Sequence, residues 1–113
     1  MESILTSIKL LLGLPEDYEH FDPQITMHIN SVFLDLNQIG VGPDRCFSIE
    51  DKTSTWIEFL GDNTDYDAAK TYLYLRVKLL FDPPASTAVI EAMNRDIARY
   101  EFRLCLAAET AES

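Results

Sequence analysis

The spacing of apolar residues along the chain predicts helices almost throughout. Residues 3–12 predict a short helix, and Gly13 follows as a residue typical of helix ends. The stripe of this helix consists of Ile4, Leu5, Ile8, Leu11 and Leu12. A second stripe, with steps of mainly three and four residues, ends before Gly40. Asp22 and Pro23 precede this stripe and predict a helix start, because aspartate can cap free backbone N–H groups and proline loses no hydrogen bond there. The stripe consists of Ile25, Ile29, Val32, Phe33, Leu36 and Ile39.

A short helix and a long one are predicted in the middle of the chain. Residues 54–61 form a brief amphipathic pattern around Trp56, for which a place in the core is favoured over a role as an exposed interface anchor. Residues 64–81 begin with a possible cap at Thr64 or Asp65 and are apolar nearly all round, which predicts a central, widely covered helix. Its main stripe consists of Tyr66, Ala69, Leu73, Val77 and Leu80.

The last predicted helix is capped by Asp82 or Ser86 and runs from about Pro84 or Thr87 to Ala108. Residues 109–113 add no core residue and are expected to form a frayed tail. The predicted buried face of this helix consists of Val89, Met93, Ile97, Tyr100 and Leu104.

These patterns predict an all-α fold, a small bundle of about four to five helices in a single domain of residues 1–113. One long irregular loop is expected at residues 40–54, where two glycines and a proline interrupt the pattern. The tripeptide Phe-Asp-Pro occurs at residues 21–23 and again at 81–83. The segments that follow the two copies share little beyond a helical stripe, so the repeat marks helix boundaries rather than a duplicated domain.

Charge is unevenly distributed along the chain. Residues 1–67 hold 13 acids and 3 bases, and residues 68–113 hold 6 of each, for a net charge of −10. An acidic N-terminal part argues against sequence-specific binding of duplex DNA, which depends on neutralising phosphates. The acidic charge serves either to contact a basic surface or to keep the protein soluble, and composition alone does not distinguish these two roles.

Other sequence features exclude several classes of protein. No apolar run approaches the ~20 residues of a membrane span, and the apolar N-terminal stretch lacks the basic start of a signal peptide. Cys46 and Cys105 lack the spacing of a metal site and are expected to be reduced thiols. His20 and His28 are the only histidines, and their spacing matches no recognised ligand pair. We therefore expect no catalytic, cofactor-binding or metal-binding residues and no enzyme activity.

The most informative polar feature is a stripe of like charges at Arg95, Arg99 and Arg103. Repulsion along such a stripe is mildly unfavourable within one helix. Two interpretations remain open at equal weight. The stripe is either a solvated face eased by neighbouring acids, or a surface that meets acids on another chain, such as the acidic N-terminal part of a second copy.

The order of elements, together with two segments, resembles a known family. The segments are His28-Ile29-Asn30-Ser31-Val32 and the stretch of residues 79–84, Leu-Leu-Phe-Asp-Pro-Pro. Over roughly residues 3–108 the chain resembles the head–tail connector proteins, also called adaptor or head-completion proteins, of tailed bacteriophages. The shared motifs are helix-packing patterns without a catalytic signature.

The resemblance implies a structural virion protein at the head–tail interface, present in the host cytoplasm during assembly. It implies a homo-oligomeric, dodecameric ring that binds the portal protein and a stopper or tail-completion protein, through which DNA passes without specific binding. It also implies portal contacts near the C-terminal end, which includes Ala107, Ala108 and Glu109. The alternatives are a monomeric acidic helical adaptor or inhibitor of a host protein and a small hydrolase, for which the sequence contains no pair of nucleophile and base.

Overall fold

Five helices make up most of the part of the chain that the computed structural model describes, residues 3–41, 47–60 and 66–112. They are α1 (Ile4–Leu11), α2 (Asp22–Gln38), α3 (Trp56–Leu60), α4 (Tyr66–Phe81) and α5 (Thr87–Glu112). Across these ranges extended structure is limited to an isolated bridge between Ser3 and Thr55. The predicted all-α fold is confirmed.

The helix boundaries follow local chemistry with one exception. Ser3 caps α1 by accepting a hydrogen bond from the Thr6 N–H at 3.3 Å, and Ser86 caps α5 by accepting from the Val89 N–H at 3.4 Å. Gly13 and Gly40 end α1 and α2 with φ angles of 88° and 85°, a conformation that favours glycine. The candidate caps Thr64 and Asp65 and the thiol of Cys46 lie outside the described residues.

The exception is Asp22, which was predicted to cap α2 and does not. It is the first residue of the helix, and its carboxylate forms no capping hydrogen bond. Its Oδ1 atom instead lies 2.9 Å from Nζ of Lys9, a lysine in α1 that is only 2% exposed. The same ammonium group donates a hydrogen bond to the Glu16 carbonyl at 2.9 Å. A buried cation therefore recruits the carboxylate and ties α1 to the start of α2.

The core lies where α4 packs against both α2 and α5, while α1 packs against α2 and α4. Leu73 and Val77 of α4 are fully buried, as predicted. The buried residues of the core are Ile4, Leu5, Ile8, Ile25, Ile29, Val32, Phe33, Leu36, Val41, Ile49, Trp56, Phe59, Ala68, Ala69, Tyr72, Leu73, Val77, Ile97 and Leu104.

Three leucine and valine positions assigned to buried stripes are exposed. Leu11, Leu80 and Val89 lie in the first or last turn of their helices. Leu80, for example, is 49% exposed, although it shares a helical face with Leu73. Periodicity identifies the face of a helix but not the length over which that face is covered.

The C-terminal tail also departs from the prediction. Residues 109–112 were expected to be frayed, but α5 continues to Glu112. Alanine and glutamate are strong helix formers, and neither glycine nor proline occurs after residue 84 to stop the helix. The absence of core residues removes a packing contribution without removing this intrinsic preference.

Two further polar contacts join distant segments. The indole Nε1–H of Trp56 donates to Oγ of Ser7 at 3.1 Å, and the Ser7 hydroxyl donates to the Ser3 carbonyl at 2.6 Å. Trp56 is 2% exposed, which confirms its place in the core. In a second contact, Arg76 in α4 lies 2.6 Å from Asp35 in α2 and donates to the Tyr72 hydroxyl at 2.7 Å. Burial raises the pKa of Tyr72, so this hydroxyl stays neutral and accepts the bond.

None of the helices that the structure describes is both long and apolar enough to cross a bilayer.

Candidate interaction surfaces

The three arginines singled out in the sequence lie exposed along one side of α5. Arg95, Arg99 and Arg103 follow one another at intervals of one helical turn. Arg99 pairs with Asp96 at 3.4 Å, but both side chains are at least half exposed, so this pair contributes little to stability. The stripe is therefore available to a partner in a single copy of the chain.

Tyr100 supports two of these arginines. The guanidinium carbons of Arg99 and Arg103 lie 5.1 and 5.8 Å from the centroid of the Tyr100 ring. Contacts of this kind are worth about 0.5–1 kcal/mol at exposed sites. They restrict the two flexible side chains, which reduces the entropy that a partner would have to remove on binding.

Sequence analysis missed an apolar part of the same side of α5. Phe102 is 67% exposed, and Leu106, one turn later, is also exposed. A helical projection could have identified them, because both lie opposite Ile97 and Leu104, the residues through which α5 enters the core. Arg95, Arg99, Phe102, Arg103 and Leu106 together are called the outer face of α5 below.

The other residues proposed from the sequence lie at the end of α5. Ala107 is half-buried. Ala108 and Glu109 belong to the helix, and their side chains lie outside the described part of the structure. The fold therefore places these three residues in the C-terminal turns of α5.

A second surface is a mainly apolar groove between α2 and residues 47–48, with a volume of about 580 Å³. Met27 and Leu34 contribute exposed side chains from α2, and Phe47 forms the opposite wall. Phe47 is held in turn by the rings of Phe33 and Phe59, each with its centroid 5.3 Å away. The groove, called the α2 groove below, is lined by Pro23, Thr26, Met27, Asn30, Ser31, Leu34, Phe47 and Ser48.

Asn30 fixes the wall of this groove through the backbone of Ile49. Its Nδ2 atom donates to the Ile49 carbonyl at 2.9 Å, and its Oδ1 atom accepts from the Ile49 N–H at 2.7 Å. One amide side chain thus satisfies both backbone groups of a buried residue, as a neighbouring strand would. Residues 47–49 are held in place although they belong to the irregular segment.

Acidic side chains border the groove and the turn between α1 and α2. Glu50 and Asp51 are exposed and lie two and three positions after Ser48, which lines the groove. Hydrogen bonds from Thr53 hold the pKa of Asp51 below its usual value, so Asp51 is anionic at neutral pH. Glu16, Asp17 and Glu19 are also exposed. The N-terminal part of the chain therefore presents unburied negative charge at two places.

The histidines form no site with the acids around them. Across the described ranges no three side chains of histidine, cysteine, aspartate or glutamate come together as a metal site would require. His20 is exposed and packs edge-on against Phe21, with ring centroids 4.8 Å apart. Its position is explained by this contact.

Comparison with known proteins agrees with the resemblance drawn from the sequence. The family model of a phage connector protein matches residues 4–111, nearly the whole chain. Searches of the curated proteins and of the solved structures give no match. The matched family is one of structural phage proteins, and its model spans all five helices together with the outer face of α5 and the α2 groove. The chain therefore belongs to the phage connector protein family.

Proposed function

We propose that this protein forms a ring beneath the portal, where it extends the DNA channel and joins the DNA-filled head to the stopper or tail. The family match over residues 4–111 is the observation that carries this proposal. The exposed outer face of α5 supports it, because a subunit of a ring needs surfaces that are unpaired in the free chain. The ring is proposed to be dodecameric.

The charge of the chain suits a channel rather than a DNA-binding surface. A net charge of −10 repels the phosphate backbone, so DNA passes without being held by specific contacts. The bases are concentrated in the second part of the chain, which leaves them for contacts between proteins. We assign Arg95, Arg99 and Arg103 to the contact between neighbouring subunits, where they meet exposed acids of the N-terminal part of the next copy.

A charge reversal tests this assignment. Changing all three arginines to glutamate should leave the monomer folded, because the side chains are exposed, but should weaken ring assembly on portal-containing heads. High salt should partly reproduce the effect by screening exposed pairs. The matched control changes the same three residues to lysine, which retains the charge and should retain most of the assembly. If the glutamate variant assembled normally, the three arginines would be a solvent-exposed face without a role in the contact between subunits.

The end of α5 is proposed to contact the portal. A helix of 26 residues is about 39 Å long at the usual rise, comparable with the longest dimension of the molecule, 41 Å. Truncation after Leu106 removes Ala107, Ala108 and Glu109 with the residues that follow, but removes none of the buried core. The truncated protein should melt nearly as the full chain does, and heads made with it should leak DNA or fail to join tails. A normal yield of infectious particles would rule out this contact.

Mass measurement separates the proposal from the alternative of a monomeric adaptor for a host protein. Mixed with purified portal, the chain should give a complex whose mass corresponds to a ring of copies on the portal. A chain that stays monomeric with portal, and is absent from purified particles, would refute the structural role.

A further inference from the structure

We propose that the α2 groove of one copy binds the outer face of α5 of a second copy, with Phe102 inserted into the groove. The inference rests on the ring proposed above and identifies the contact that holds its subunits together. The occupant is a second copy of this chain, and its argument has three independent parts.

The first part is the exposure of apolar side chains. Among the large hydrophobic residues that the structure describes, Phe102 is the most exposed at 67%, and Met27 follows at 61%. The first stands on α5 and the second in the α2 groove, where Leu34 is exposed beside it. Exposed aromatic and methionine side chains are enriched at the centres of protein interfaces. The groove, at about 580 Å³, lies within the size range of ligand pockets and has room for a phenylalanine ring.

The second part is charge complementarity around these apolar centres. Arg95, Arg99 and Arg103 flank Phe102 within two helical turns, and the acids Glu50 and Asp51 follow Ser48 at the wall of the groove. The side chains that line the groove carry no charge of their own. Inserting Phe102 would therefore bring the arginines towards two acids without burying a cation in the groove. Two copies joined through α5 alone would instead bring like charges together.

The third part is the position of the two surfaces. α4 packs against both α2 and α5, and the groove and the outer face are two different surfaces carried by two different helices. When two copies join through two different surfaces, one copy keeps a free groove and the other keeps a free outer face. A third copy can therefore add to the pair in the same way. Such head-to-tail contacts generate closed rings when the rotation between copies closes. A self-complementary contact would stop at a dimer.

Cross-linking in assembled particles tests the contact directly. In a chain with Cys46→Ser and Cys105→Ser, the exposed residues Ser48 and Ala98 are changed to cysteine. Ser48 lies at the groove, and Ala98 lies one turn before Phe102, which is left intact. Particles are treated with a short bismaleimide and analysed on a denaturing gel. The matched control replaces the groove cysteine by Leu10→Cys, an exposed position on α1.

The expected result is a ladder of the chain extending beyond the dimer in the Ser48→Cys, Ala98→Cys particles and no ladder in the control. Adding Phe102→Ala should shorten the ladder, whereas Leu106→Ala, at the edge of the contact, should change it less. A chain present in the particles but not cross-linked overturns this inference and leaves the proposed function intact. A dimer formed by Ala98→Cys alone, or a cross-link to portal or another virion protein, assigns the surfaces to other partners and also overturns it. Particles that lack the chain overturn the proposed function, and this inference with it.

Discussion

The ion pair between Lys9 and Asp22 predicts different losses of stability when either partner is removed. Lys9 is 2% exposed, whereas the side chain of Asp22 is 26% exposed. Removing the carboxylate leaves an enclosed ammonium group with the Glu16 carbonyl at 2.9 Å as its remaining hydrogen-bond acceptor among the bonds described above. Removing the ammonium group leaves Oδ1 of Asp22 buried without a partner, but the rest of that carboxylate is reached by water.

The magnitudes follow from these environments. Removing one partner of a buried ion pair costs about 3–5 kcal/mol, and the partial exposure of Asp22 places Asp22→Ala at the lower end, about 3 kcal/mol. The variant also loses an acid in the first turn of α2, worth about 0.3–1 kcal/mol. Lys9→Met keeps an unbranched apolar stem and should cost about 2 kcal/mol, because it removes the hydrogen bond to the Glu16 carbonyl and leaves Oδ1 of the partly exposed Asp22 carboxylate buried without a partner.

Urea denaturation of the two single variants and the double variant measures the difference. With a typical slope of about 1–3 kcal/mol per molar urea, Asp22→Ala should lower the midpoint by roughly 1–3 M. The double variant contains no buried charge at this place and should be close to Lys9→Met. Asp22→Asn, which keeps an acceptor without the charge, should fall between wild type and Asp22→Ala. If Lys9→Met lost as much stability as Asp22→Ala, the burial of an unpaired cation would not be the cause.

Two further substitutions probe the core and the groove. Leu73→Asp should unfold the protein by placing an unpaired charge at a fully buried position, whereas Leu80→Asp, on the same helix but 49% exposed, should leave the circular dichroism spectrum unchanged. Asn30→Ala should lower the free energy of unfolding by about 2–3 kcal/mol, because it leaves the N–H and carbonyl of buried Ile49 without their partner. The control Ser31→Ala, at an exposed neighbouring position, should change the thermal midpoint little, and equal losses for the two variants would contradict the role of Asn30.

Helix positions were predictable from the sequence because they depend on local patterns. The stripe of α2 and the stops at Gly13 and Gly40 need only spacing and backbone preference, and the structure has them where the sequence places them. The capping role of Asp22 was wrong for a reason that is not local. Lys9 lies 13 positions earlier in the chain, and nothing in the sequence indicates that its ammonium group would be buried beside the start of α2.

The candidate surfaces were predictable only in part. The arginine stripe is visible as a spacing of four residues, and a helical projection from the predicted buried face at Ile97 and Leu104 would also have placed Phe102 on the exposed side. The α2 groove depends on a contact between Asn30 and Ile49, which lie 19 positions apart. Contacts at such separation arise from tertiary packing, which neither periodicity nor composition encodes directly.

The contact between Trp56 and Ser7 has a consequence for how the chain folds during its synthesis. The two residues are 49 positions apart, and chains are extended at about 5–20 residues per second, so α1 precedes its indole partner by several seconds. α2 follows α1 much sooner and can cover part of its apolar side, but the pocket around Ser7 stays without the tryptophan until α3 leaves the ribosome. During this interval the apolar side chains of Ile4 and Ile8 are not fully covered. A slowly translated chain can therefore associate there with other nascent chains or be bound by chaperones.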